Sequence, residues 1–351
     1  MMNKYRISVL AAAGAILLLG GCVSTPERYA TPVMVPELMA PKEVQSARAK
    51  EFRELTAGIA VRGIGIYPQA YHVVPPEELL DRMEALGFNR VYCYISSEKQ
   101  LDGTFRDFIA RAAKRKIAVE AVLNQRDFYC RATGNKIIRL FRPSYLRLDE
   151  AVEGLAEFSE GLPDGAKLAG VTVITEPHLF IPTNPDTPPD SLYYWSEDTY
   201  GPDLDNAMLM RQSLDMLKAA AKNASDLPLT SGVADFYHEL AVEGKLPLGK
   251  VTDFCAISHR IILLDSGNKP SQAVDVVENE LQAIPEKCTA LIGINLAGHT
   301  SVDSGSLRRR DWNDFLRAMR FILGRLRQHR QFEGFVIAPF SALGFIHAER
   351  D

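Results

Sequence analysis

The sequence predicts an α/β fold, a (β/α)8 TIM barrel in which eight parallel strands close on themselves inside a layer of helices. Eight short apolar runs recur along the 351 residues, and segments with helical spacing of apolar residues separate them. Several runs are apolar at consecutive positions, as expected for strands that are covered on both faces. Strand and helix alternating eight times over about 290 residues is the signature of this barrel.

The predicted strands are short and apolar, and most are followed by polar residues. They are residues 61–67, 90–95, 117–123, 170–175, 229–234, 253–258, 290–296 and 334–338. The predicted helices are 76–86, 104–114, 146–160, 204–224, a short segment centred on Glu239, 271–284 and 307–328. The helix over 76–86 has well-marked ends, because proline and two glutamates favour its start and Gly87 favours its end.

The last barrel helix is expected to be short or missing, since the sequence ends soon after the eighth predicted strand. Residues 42–55 show apolar residues at helical spacing and lead directly into the first strand. We therefore expect this preceding helix to occupy the vacant place, with Phe52 and Leu55 packed against the barrel.

The first residues resemble a bacterial lipoprotein signal. Two cationic residues precede an apolar stretch over 7–19, and Cys22 follows after two glycines. The stretch is shorter than the roughly 20 residues that a transmembrane helix needs. The resemblance implies that residues 1–21 are a removed signal peptide and that Cys22 carries the lipid, palmitate included. It also implies an outer-membrane, cell-envelope location, because Val23 stands where Asp would redirect the protein.

Residues 22–41 carry several prolines and little apolar periodicity, which predicts a flexible tether before a single barrel domain over 42–351. The formal net charge is −4, and this mild acidity argues against nucleic acid as a partner. None of the five cysteines has C-x-x-C spacing, so neither a zinc knuckle nor a redox motif is predicted. No cofactor is expected. Cys93 and Cys255 fall in apolar runs, and both disulfides and free thiols remain open.

The candidate site lies at the carboxyl ends of the strands, where barrels of this type carry their chemistry. Glu176 follows the fourth strand directly and is the candidate general acid, since a carboxyl of raised pKa can protonate a leaving oxygen. The segment Thr175-Glu-Pro-His178 resembles the Asn-Glu-Pro motif of the largest clan of barrel glycoside hydrolases. That resemblance implies an acid/base role for Glu176, although Thr175 replaces the clan's asparagine.

A wider resemblance is to uncharacterised bacterial barrel proteins related to glycoside hydrolases. It rests on Arg62-Gly-Ile-Gly-Ile-Tyr67, Leu86-Gly-Phe-Asn-Arg-Val-Tyr92 and the stretch over 113–122, and it covers the first third of the chain best. It implies a carbohydrate as substrate or ligand. The residues expected to contact that carbohydrate are Tyr94, Asn124, His178, Trp195, His259, Asn295 and His299.

The sequence identifies the second catalytic group, a nucleophile or a base, less clearly than the general acid. Asn295 stands where the clan has its nucleophilic glutamate, and an amide cannot form a glycosyl-enzyme intermediate. Asp235 is the candidate base for an inverting reaction. One alternative is a glycan-binding envelope lipoprotein on a degenerate barrel. The other is a sugar isomerase or epimerase with a divalent cation on Glu176, Asp235 and His259, although the eighth strand offers no carboxylate ligand.

Overall fold

The computed structural model describes residues 42–67, 70, 74–128, 130–133, 136–139, 147–163, 165–175, 177, 204–264, 270–295 and 312–338. The predicted signal peptide and tether lie outside these residues. Within the described part of the chain, no helix is both long enough and apolar enough to cross a lipid bilayer.

Eight parallel strands close into a barrel, which confirms the predicted fold. The strands are β1 Val61–Ile66, β2 Arg90–Tyr94, β3 Ala118–Asn124, β6 Gly170–Thr175, β7 Leu229–Ala234, β8 Arg260–Leu264, β9 Thr289–Asn295 and β10 Phe332–Ala338. Consecutive barrel strands are hydrogen-bonded neighbours, and β1 pairs with β10 to close the sheet. We call the carboxyl ends of these strands the mouth and their amino ends the base.

The helices follow the strands on the outside of the barrel, close to the predicted positions. They are α1 Lys42–Leu55, α2 Pro76–Ala85, α3 Gly103–Lys114, α4 Leu148–Glu160, α5 Leu204–Asn223, α6 Tyr237–Val242, α7 Val251–Cys255, α8 Pro270–Ala283 and α9 Trp312–Leu326. Two further strands, β4 Cys130–Thr133 and β5 Lys136–Arg139, form an antiparallel hairpin between β3 and α4 that the sequence analysis did not predict.

The sixth barrel strand was predicted one element too early. Residues 253–258 are largely apolar, but α7 occupies the first three of them and the strand is β8, which starts at Arg260. The Asp253 carboxylate accepts hydrogen bonds from the backbone N–H groups of Gly249, at 2.9 Å, and Lys250, at 3.0 Å. These bonds satisfy N–H groups at the start of α7 and so favour a helical turn over an extended strand.

The preceding helix α1 fills the place of the eighth barrel helix, as predicted. It packs between α9 and α2, and Phe52 is buried there, with its ring centroid 5.9 Å from that of Phe315 and 6.1 Å from that of Phe335. Leu55 is partly buried against the same core. The helix ends at the base, where Arg327 Nη2 donates to the carbonyl of Leu55 at 2.7 Å.

An apolar layer fills the middle of the barrel. Seven strands each contribute one side chain: Val61, Tyr92, Val122, Ile174, Ile262, Leu291 and Val336. Strand β7 contributes Gly232, where a Cβ would lie 3.4 Å from Ile174 Cγ1. The ring of Tyr92 fits because Gly63 faces it, and a Cβ at Gly63 would come within 2.6 Å of Tyr92 Cε2. Because side chains alternate along a strand, these positions also show which residues of each strand point into the barrel.

Charged side chains fill the barrel interior below this layer. The carboxylate of Glu120, on β3, is 1% exposed and accepts hydrogen bonds from Arg90, from Arg260 Nη1 at 3.1 Å and from Thr172 Oγ1 at 2.7 Å. Two guanidinium groups therefore share one buried carboxylate, and each of its oxygens has a donor.

Arg260 continues these contacts across the interior to β10. Its Nε donates to Glu333 Oε2 at 2.7 Å and its Nη2 to Oε1 at 3.2 Å, a bidentate pair. Partial burial alone would raise the pKa of Glu333, but the hydrogen bond and charge of Arg260 lower it below its ordinary value. Arg90, Glu120, Arg260 and Glu333, here called the base network, thus join β2, β3, β8 and β10.

Replacing Glu120 should test how much the barrel depends on the base network. We expect Glu120→Gln to lower the free energy of unfolding by about 3–5 kcal/mol, because Arg90 would lose its counter-charge and the buried Arg260 would keep only Glu333. Glu286→Gln is the matched control, since Glu286 pairs with Arg330 at 2.6 Å on the exposed surface, and it should cost less than about 1 kcal/mol. Urea unfolding of both variants measures the difference, and equal losses would contradict a special role for Glu120.

Candidate functional site

The mouth brings together two of the residues predicted to contact substrate. Tyr94 ends β2 and Asn124 ends β3, and both are half-buried. Tyr94 pairs in register with Val122, and Asn124 pairs with Ile174 of β6. Because Val122 and Ile174 face the barrel interior, Tyr94 and Asn124 occupy inward-facing positions at the rim. The end of β6, which precedes Glu176, is therefore beside Asn124.

An aromatic pair forms part of the rim. The ring of Tyr67, which follows β1, stacks on the ring of Tyr94 with centroids 4.8 Å apart and an angle of 25° between the planes. Gly65 on β1 leaves room at this level, since a Cβ there would lie 2.8 Å from the Cβ of Ala338 and 3.6 Å from Tyr94 Cε2. The rim thus combines two aromatic rings with the amide of Asn124 on the neighbouring strand β3, groups of the kind that bind a ligand with both apolar faces and hydroxyl groups.

Gln125 holds the backbone that leaves Asn124. Its side chain is fully buried, and Nε2 donates to the carbonyl of Ser213 on α5 at 2.7 Å while the Ser213 hydroxyl donates back to Oε1. A polar residue directly after a strand is a natural candidate for the mouth, and Gln125 follows β3 directly. The structure shows that it instead connects the end of β3 to α5, and its buried hydrogen bonds keep Asn124 in place.

Asp235 does not open onto the mouth. Gly232 faces the barrel interior, so alternation directs Ser231, Val233 and the following Asp235 toward the helices. The Ser231 hydroxyl is accordingly 2.6 Å from that of Ser258, outside the barrel. Asp235 is only 1% exposed, and its backbone N–H donates to the carbonyl of Leu264 at 3.2 Å. This corrects the expectation that Asp235 is placed to activate a water molecule at the mouth.

A second buried carboxyl lies near Asp235, and sequence reasoning missed it. Glu280 of α8 is 2% exposed, and its Oε2 has no hydrogen-bond partner among the described residues. Burial raises the pKa of Glu280 well above its ordinary value, and the negative charges of Asp235 and Glu239 raise it further. A helical-spacing signal was present, because Glu280 comes three residues after the buried Val277 and four before the buried Ile284.

His259, predicted as a substrate contact and as a metal ligand in the alternative hypothesis, does not lie at the mouth. His259 precedes β8, so it is at the base rather than at the mouth, and its Nδ1 is 2.6 Å from the carbonyl of Leu229. The error follows from the misplaced sixth strand. His238, on α6, accepts a hydrogen bond from the backbone N–H of Val251 at 3.2 Å. His259 is therefore corrected as a substrate contact.

The alternative cation site on Glu176, Asp235 and His259 is not supported by the positions of Asp235 and His259, for the same reason. Leu229 is level with His259 at the base, and Asp235 is six residues further along β7, or about 20 Å at roughly 3.3 Å per residue. Among the described residues, no group of three or more His, Cys, Asp or Glu side chains is arranged to hold a metal ion.

The remaining predicted site residues lie outside the described part of the chain. They are Cys22, Glu176, His178, Trp195 and His299. Asn295 is described through its backbone only, as the last residue of β9, where it pairs with Ala338 of β10 at the level of the mouth.

No protein-family model matches the sequence, and the comparison with curated proteins finds no match. Similar solved structures include the Ignisphaera aggregans glycoside hydrolase family 53 catalytic domain, at 14% identity and TM-score 0.48, over 80% of this chain and 84% of that one. A xylanase from Cellvibrio japonicus is similar at 9% identity and TM-score 0.46, over 82% and 87% of the two chains. A second xylanase, from sugarcane soil metagenome, has 13% identity and TM-score 0.45, over 82% and 88%. Similarity at this level does not identify a reaction.

The buried carboxyl of Glu280 should make stability depend on pH. Its raised pKa means that the folded protein keeps Glu280 protonated where the unfolded chain has lost the proton, so stability falls as pH rises above the ordinary glutamate pKa of 4.5. Between the pKa of Glu280 in the unfolded chain and its pKa in the folded protein, the wild type should lose about 1.4 kcal/mol of stability per pH unit. Glu280→Gln should not show this loss. Urea unfolding between pH 5 and pH 8 measures the effect. The exposed Glu153→Gln should keep the wild-type slope, and an unchanged slope in Glu280→Gln would refute the assignment.

Proposed function

We propose that this protein is a carbohydrate-active barrel that takes its ligand at the mouth, with Glu176 as general acid. The observation that carries the proposal is the register between β3 and β6. Asn124 pairs with Ile174, two residues before Glu176. Tyr94 ends β2 on the other side of β3, and its ring stacks on that of Tyr67, which follows β1. The strand that leads into Glu176 therefore ends beside an amide, and an aromatic pair lies one strand further along the rim.

The chemistry of this rim suits a sugar. A pyranose ring has apolar C–H faces that stack on aromatic rings, which the Tyr67–Tyr94 pair supplies. Its hydroxyl groups both donate and accept hydrogen bonds, and the amide of Asn124 does the same. A carboxyl next to such a ring could protonate a glycosidic oxygen, which is the role assigned to Glu176.

Cleavage also needs a group that attacks the sugar or activates water. Asp235 faces the helices, and Asn295 is an amide, so neither supplies a carboxylate to the mouth. Hydrolysis therefore requires a carboxylate from the loops above the rim. These two residues favour a second candidate function, a glycan-binding protein that uses the same rim and has no hydrolytic activity.

We further propose that Cys22 is lipidated and anchors the barrel in the cell envelope, in the outer membrane. The cationic start, the apolar stretch over 7–19 and the small residues before Cys22 support this proposal. The acyl chains would hold the protein at the membrane surface while the barrel remains in water.

Glycan binding and cleavage can be separated with two variants. We expect Glu176→Gln to lower the rate at which a panel of glycans is cleaved by about 10²–10⁴-fold, because the amide cannot protonate the leaving oxygen. Binding of the glycan should change little. Tyr94→Ala should weaken binding because it removes the stacked surface. Product analysis and titration calorimetry provide the two readouts. If the wild type binds a glycan without cleaving it and Tyr94→Ala weakens that binding, the second candidate function is established. If Tyr94→Ala binds as well as the wild type, this rim is not the binding site.

Lipidation can be tested by metabolic labelling with a palmitate analogue in a bacterial host. We expect label in the wild-type protein and none in Cys22→Ala, because the cysteine sulfur and the new amino terminus carry the acyl groups. Cys93→Ala is the matched control, since that thiol is buried in β2, and it should label like wild type. Equal labelling of Cys22→Ala would refute the anchor.

A further inference from the structure

The exposed side of α9 carries an excess of positive charge. Its exposed cations are Arg317, Arg320 and Arg325 on the helix and Arg327 directly after it. At roughly 100° per residue they fall within an arc of about 160°. Within Trp312–Leu326, all of which the structure describes, only Asp314 has a carboxylate, and it pairs with Arg317. The chain as a whole has a formal net charge of −4, so this helix surface has the opposite sign.

Only part of this positive charge is balanced. Arg325 pairs with Glu278 of α8. Arg327 Nη2 donates to the carbonyl of Leu55, at the end of α1, at 2.7 Å, and a carbonyl has no net charge to offset that of the guanidinium. Neither Arg320 nor Arg327 has a carboxylate partner among the described residues. Two positive charges of this surface are therefore open to an anion from outside the chain.

An exposed aromatic ring lies among these arginines. Phe321 is 40% exposed, and the only other large hydrophobic side chain exposed among the described residues is that of Val242 on α6. Packing does not require Phe321, because the side of α9 that faces the barrel is formed by buried residues such as Phe315, Met319 and Ile322. Basic residues around an exposed aromatic ring are typical of helices that contact the headgroup region of a bilayer. The name α9 face is used here for Arg317, Arg320, Phe321, Arg325 and Arg327.

We propose that the α9 face docks on an anionic membrane surface, the surface that holds the lipid on Cys22. The placement on that membrane rests on the proposed anchor. Residues 22–41 span roughly 65 Å when extended, at about 3.3 Å per residue, and they lead to Lys42, where α1 begins. Helix α1 packs beside α9, so the face is within reach of the anchoring membrane. A tethered contact needs little affinity of its own, because the tether keeps the effective concentration high.

An anionic bilayer suits this face better than a second copy of the chain. A two-fold symmetric dimer would place the same arginines of both copies against each other. Lipid phosphates instead accept hydrogen bonds from guanidinium groups, and the ring of Phe321 can enter the membrane interface beside them. With α1 and α9 on the membrane, the barrel lies on its side and its mouth opens along the surface.

The test places a fluorescent probe in the α9 face of the full chain. Phe321→Trp is purified from a bacterial host and reconstituted into vesicles of brominated phosphatidylcholine, with and without phosphatidylglycerol, because bromine quenches a tryptophan that it contacts. Wild type supplies the background from Trp195 and Trp312. We expect the added fluorescence to be quenched only in the anionic vesicles, and the quenching to be lost at high salt, which screens the attraction. Val242→Trp is the matched probe control and should stay unquenched in both.

Removing the unbalanced arginines tests the role of charge. In the Phe321→Trp background, Arg320→Gln with Arg327→Gln should lower the ratio of docked to undocked protein about 25-fold, or about fivefold each, because a basic residue near an anionic leaflet contributes about 1 kcal/mol. The matched control is Lys218→Gln with Lys222→Gln, two exposed cations of α5. It removes the same charge, but α5 joins β6 and β7, which lie opposite β10 and β1 in the barrel. The control should therefore leave the ratio unchanged.

Three results would overturn the proposal. The first is equal quenching of the Phe321→Trp probe with and without phosphatidylglycerol, and the second is an equal ratio in the arginine and lysine double variants. The third is probe emission that moves to shorter wavelength as protein concentration rises without vesicles, because a second copy would then cover the face. Arg320→Gln alone, with its fivefold loss, keeps the test if Arg327→Gln disturbs the end of α1.

Failure of the anchor gives a different result, since the chain would then not stay on neutral vesicles. Docking is in that case measured by sedimentation with phosphatidylglycerol vesicles. The arginine double variant should bind them about 25-fold more weakly than wild type, and equal binding would overturn the docking proposal independently of the anchor.

Discussion

The barrel depends on charge that is buried at its base. Arg260 projects from β8 into the interior and binds the carboxylates of Glu120 on β3 and Glu333 on β10. A buried charge without its partner costs several kcal/mol. Sliding any of these strands by one residue would turn a charged side chain to the helix face and break the pair. The network therefore specifies strand register, while the apolar layer above it supplies the packing.

Most of the fold was predictable because the barrel strands are covered on both faces, which gives apolar runs that a sequence shows directly. The place of α1 was also predictable, because Phe52 is spaced for burial and the helix leads directly into β1. The sixth strand was misplaced for a local reason. Residues 253–258 contain an apolar run like that of a strand, but the cap by the Asp253 side chain favours a helical turn at their start.

The site was less predictable, because it depends on which way a side chain points after its strand ends. Tyr94 and Asn124 were placed correctly at the rim, since their strands were bounded correctly. Asp235 also follows a correctly bounded strand, but it is an odd number of residues from the inward-facing Gly232 and so faces the helices. Sequence position identifies the end of the barrel that a residue reaches. Whether a side chain faces the interior or the helices depends on whether it lies an even or an odd number of residues from an inward-facing position. On β7 that inward position is Gly232, which the sequence does not mark as buried because glycine has no side chain.

The directions of α1 and β10 have a practical consequence for handling the molecule. Helix α1 ends at the base and is about 21 Å long at 1.5 Å per residue, so Lys42 joins the barrel on the mouth side. Strand β10 runs from base to mouth, so the chain also leaves at Ala338 on that side. A fusion partner or resin linkage joined directly at Lys42 or Ala338 would therefore lie on the side of the mouth. A surface attachment at Glu286, shortly before β9, would lie at the base instead.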